Sequence, residues 1–74
     1  MHTQADRDRA RLHIAEGEAR IDRQAALIAE MNARGFPTAQ AVRVLEALEI
    51  SLDGMRRHLA RIELDYADAP TGDQ

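Results

Sequence analysis

Apolar residues recur along this chain at alternating steps of four and three. In the first half the row runs Ala10, Ile14, Gly17, Ile21, Gln24, Ile28 and Met31; in the second it runs Ala41, Leu45, Leu48, Leu52, Met55, Leu59, Ile62 and Tyr66. A mean step of about 3.5 residues is the heptad seam of a helix that packs along another helix. One break separates the rows, at Arg34-Gly35-Phe36-Pro37-Thr38. Gly35 suits the left-handed residue after a helix end, Phe36 can fold back onto Met31, Pro37 blocks continuation, and Thr38 can cap the next helix. Thr3, with Asp6 three residues later, gives a start signal of the capping-box kind. The pattern predicts an all-α fold, an antiparallel coiled-coil-like hairpin with helix 1 over about 4–34, a turn at 35–37 and helix 2 over about 38–66. Residues 1–3 and 67–74 have the composition of disordered ends.

The short turn forces the helices antiparallel, and matching the two seams about Gly35 sets Ile14 against Met55, Gly17 against Leu52, Ile21 against Leu48 and Gln24 against Leu45. Gly17 opposite a leucine makes room for it. Gln24 is the one polar side chain in the seam, and such a residue typically fixes register or oligomeric state. Two helices alone bury only a narrow stripe, and chains this short usually recruit a partner. The expected surface is the flank carrying Leu27, Val44, Ala47, Ser51 and Gly54, through which two hairpins would join as a homodimeric four-helix bundle. A competing surface runs along helix 1 through Leu12, Ala15, Ala19, Ala26, Ala29 and Ala33.

Composition agrees with helices: 14 of the 74 residues are Ala, and Gly and Pro together make six. Cysteine is absent, which excludes a disulfide framework. The ten basic residues are all Arg against 13 acidic ones, and a net charge of -3 offers no footprint for nucleic acid. The longest apolar run, Ala25 to Ala29, is far too short to span a membrane, and with no apolar stretch behind a basic segment near Met1 a secretory signal is not expected. A cytoplasmic protein without nucleic-acid or membrane partners is expected, with a larger protein as a further partner.

Candidate chemistry is sparse. His13 and His58 each precede a seam residue and fall at the same level of the antiparallel pair; Glu16 lies three residues beyond His13, and the three are ligand types for zinc or iron. The paired Glu-x-x-His pattern of di-iron bundles is lacking. Ser51, the only serine, sits mid-helix, where a serine hydroxyl normally bonds a carbonyl four residues back and a continuous helix offers no oxyanion hole. No catalytic residue and no cofactor are predicted.

The run His13-Ile14-Ala15-Glu16-Gly17-Glu18, followed by Arg23-Gln24 and the Gly35-Phe36-Pro37-Thr38 turn, resembles a family of short proteobacterial helical-hairpin proteins with a His-[Ile/Val]-Ala-Glu-Gly-Glu motif and no assigned activity. The resemblance spans about His13 to Ile62 and implies a bacterial helical hairpin. Met55 stands where that pattern often has a histidine, whereas His58 matches a later one. The expectation is therefore a non-catalytic, self-associating interaction module. A small metal-binding bundle using His13, Glu16 and His58 is the alternative.

Overall fold

The computed structural model describes residues 3–68, and two helices make up most of them: α1, Gln4–Ala33, and α2, Ala39–Asp68. No strand occurs among the described residues. Each helix has 30 residues, about 45 Å at ~1.5 Å per residue. The second helix extends two residues past the expected Tyr66, so Ala67 and Asp68 belong to it rather than to the tail. Met1, His2 and residues 69–74 of the expected disordered ends lie outside the described residues, as does the side chain of Tyr66.

Both ends of α1 are closed by the residues that the sequence nominated. Thr3 Oγ1 accepts from the Asp6 N–H at 3.1 Å, and the Asp6 carboxylate accepts from the Thr3 N–H at 3.0 Å, a reciprocal capping box. Thr3 is thus a fixed cap, not part of a loose end. At the other end Arg34 is the C-cap and Gly35 takes φ 76°, which only glycine adopts without strain. The Phe36 N–H then reaches the Met31 carbonyl at 2.9 Å and the Gly35 N–H that of Asn32 at 3.1 Å, the two bonds of a Schellman motif. The Phe36 ring itself stays largely exposed. Past Pro37, the Thr38 carbonyl accepts the first bond of α2 from the Val42 N–H at 2.8 Å.

The core is the seam. Ala10 and Gly17 of α1 and Ala41, Leu52 and Ile62 of α2 are buried, and the other seam residues from Ile14 to Leu59 are half-buried. Ile62 is sealed most completely, at 1% exposure. The expected register holds at its most demanding point, since a Cβ on Gly17 would lie 3.3 Å from Leu52 Cδ1 and 3.6 Å from Met55 Sδ. A radius of gyration of 17.5 Å, against about 11 Å for a compact domain of this length, describes a rod with one thin core.

Candidate interaction surface

A row of side chains runs along each side of the seam, and the two sides differ in chemistry. On one side α1 contributes Arg11 and Glu18 and α2 contributes Arg56 and Glu63. Arg11 Nη2 lies 3.2 Å from Glu63 Oε1, and Arg56 Nη2 lies 3.0 Å from Glu18 Oε2. Arg7, in the last seam position before the N-terminus, brings Nε to 3.0 Å from Glu63 Oε2, so Glu63 is shared by two guanidinium groups. Opposite charges meet across the pair at positions one heptad apart, which anchors the antiparallel register. These groups are partly solvated, so each pair contributes at most a fraction of a kcal/mol to ~1 kcal/mol.

The other side carries Leu27 on α1 and Val44 on α2, 47% and 41% exposed, with Ala47 and Ser51 exposed beside them. Gly54 belongs to this row too. A Cβ placed there would meet only its own helix's Arg57 Nη2, at 3.8 Å, so nothing within the chain calls for a glycine. Gly17 is explained by Leu52; Gly54 has no such neighbour.

Gln24 occupies the seam as expected, but its partner is a main-chain group. Its Nε2 donates to the Ala41 carbonyl at 2.9 Å, tying the middle of α1 to the first turn of α2. The polar seam position therefore fixes register inside one chain, and a role in oligomeric state is not needed to account for it.

His13, Glu16 and His58 are all exposed, and among the described residues no three His, Asp or Glu side chains are gathered as metal ligands. Ser51 is exposed on a continuous helix. Among the described residues no helix is long and apolar enough to cross a membrane. The competing face of α1 is likewise exposed, from Leu12 through Ala15, Ala19, Ala26, Ala29 and Ala33.

Two features went unread in the sequence. Glu63 carries no seam signal of its own, although pairing like flanking rows across an antiparallel seam matches it with Arg11 and Glu18 with Arg56. Ile50 and Leu64 point out from α2, with Ile50 72% exposed in a shallow groove beside Glu46, Glu49 and Asp53. They lie two heptads apart on the face farthest from the seam, where a period-based reading expects charge.

No family model matches the chain, and no curated protein or solved structure matches it either.

Proposed function

We propose that this chain is a self-associating helical interaction module without a reaction of its own: a homodimer in which two hairpins form a four-helix bundle, its outer faces left to dock a larger protein. The observation that carries this reading is the surface the lone hairpin leaves in water. The hairpin has one thin seam as its core, and beside it Leu27 and Val44 stay 47% and 41% exposed, apolar surface that a second copy would cover.

The flank of Leu27, Val44, Ala47, Ser51 and Gly54 is the surface that fits. Its apolar and small residues form one row, while Arg11, Glu18, Arg56 and Glu63 neutralise one another on the opposite side. The α1 face of Leu12 and the alanines offers fewer large side chains and follows from helix propensity alone. Ile50 and Leu64 each stand singly among charged neighbours.

Sedimentation of the parent and two Gly54 variants tests the reading. The parent sediments as two chains. Gly54→Leu overpacks the interface by ~1–3 kcal/mol and raises the monomer fraction on dilution, while Gly54→Ala has a much smaller effect. A monomeric parent removes self-association altogether. A Gly54→Leu protein that stays dimeric and melts higher than the parent moves the interface to the alanine face of α1.

A further inference from the structure

We infer that the side of the rod away from the Leu27 flank takes a basic helix of a partner protein. An Arg or Lys of that helix supplies a cation that the charge pairs across the seam lack at one level, and an apolar side chain beside it covers Ile50. The inference rests on the proposed module having an outer face for a larger protein, and it gives that partner a chemistry.

Two charge pairs on this side stand one heptad apart. Arg11 of α1 pairs with Glu63 of α2, and one heptad nearer the turn Glu18 of α1 pairs with Arg56 of α2. The next heptad step along the same two rows brings Ala25 level with Glu49. The cation alternates between helices from pair to pair, so α1 should carry the third, and it carries alanine instead. Glu46 and Asp53 of α2 flank Glu49, and Asp22 of α1 falls between Glu18 and Ala25 on the same side. Among the described residues Asp22, Glu46 and Glu49 form no ion pair. The cations of α2 around them are engaged elsewhere: Arg57 bonds Asp53, Arg56 bonds Glu18, and Arg43 donates to Gln40 at 3.1 Å.

Ile50 stands among these carboxylates, 72% exposed, and lines the shallow groove with Glu46, Glu49 and Asp53. Solvated carboxylates do not call for an isoleucine in their midst. An apolar side chain walled by acids complements a partner that is apolar and cationic at adjacent positions. The groove residues follow one another along α2 at steps of three and four, the spacing at which a helix laid alongside repeats its own side chains. A basic amphipathic helix meets both requirements, whereas an acidic peptide or a nucleic acid is repelled. The flank of Leu27, Val44, Ala47, Ser51 and Gly54 lies across the seam, so two copies can join there with this side open.

The probe is a synthetic helical peptide of about 20 residues made of Lys, Leu and Ala, with Lys at steps of three and four beside a row of Leu. A counterpart carries Glu in place of Lys. Isotope-labelled protein is titrated with each and followed by NMR. The Lys peptide shifts amides at 46–53 and 22–25, its affinity falls with added salt, and the Glu peptide does not bind. Glu49→Gln weakens the binding about two- to fivefold and Ile50→Ser about tenfold. Ala25→Arg supplies the third cation from within the chain; it competes with the peptide for Glu49, weakens binding by a similar two- to fivefold, and melts at or above the parent. Failure of the Lys peptide to bind overturns the site. So does binding that Ile50→Ser and Ala25→Arg leave undiminished, since charge alone then accounts for it. Salt-sensitive assemblies of more than two parent chains that Glu49→Gln disperses give the site to another copy and overturn the partner helix. Sedimentation without peptide judges self-association separately: a monomer that still binds the Lys peptide at Ile50 ends the dimer and keeps this site, and a dimer that does not bind it does the reverse.

Discussion

Two seam residues, Gly17 and Gln24, show how single positions set this structure. With Leu52 Cδ1 3.3 Å and Met55 Sδ 3.6 Å from where its Cβ would stand, a methyl at Gly17 needs the Leu52 side chain to give way, and a leucine has no room beside them. Gly17→Leu is expected to lower stability by ~1–3 kcal/mol, seen as an earlier thermal transition in circular dichroism. Gln24 makes the opposite case. Its amide bond to the Ala41 carbonyl contributes about 1 kcal/mol net, and leucine of similar volume would recover as much by burial beside Leu45. Gln24→Leu should therefore melt at or above the parent, while its amide NMR spectrum broadens or doubles as the register loosens. A loss of more than ~2 kcal/mol would mean that Gln24 acts through strength instead of register. The sequence disclosed both positions as exceptions in the seam, but not what Gln24 bonds, because a main-chain carbonyl carries no residue-type signal.

At the scale of the helices, almost everything follows from the heptad pattern and its punctuation. Thr3 and Asp6 form the expected box, Gly35 takes the expected left-handed conformation, and the seam residues are those that lose solvent. Gly35→Ala tests the turn: alanine in the left-handed region costs about 1–2 kcal/mol, and the urea midpoint should fall accordingly with helix content unchanged. What the pattern did not disclose is the surface. Exposed Ile50 and Leu64 break no local rule of helix formation, and the pairing of Glu63 with Arg7 and Arg11 depends on which flank faces which. That is a property of two helices together, absent from either alone.

For the molecule as a whole, a rod with one narrow core predicts stability coupled to association. If two copies complete the core, the melting temperature rises with protein concentration, by RT times the logarithm of the dilution factor in free energy. A melting temperature constant over a hundredfold dilution would mark a self-sufficient monomer. The same rod has a built-in order of assembly. The Gln24 tie to Ala41 closes a span of 17 residues, while the Arg11 to Glu63 pair closes one of 52, a difference of about 1 kcal/mol in loop entropy. Contacts nearest the turn are therefore cheapest to form first, and the hairpin zips from Gly35 outward toward the capping box. Hydrogen exchange should follow the same gradient, with amides around Ile28 and Leu45 protected longer than those around Ala10 and Ile62. The shared carboxylate of Glu63 is then the clasp of a zipper, the last contact closed and the first to open.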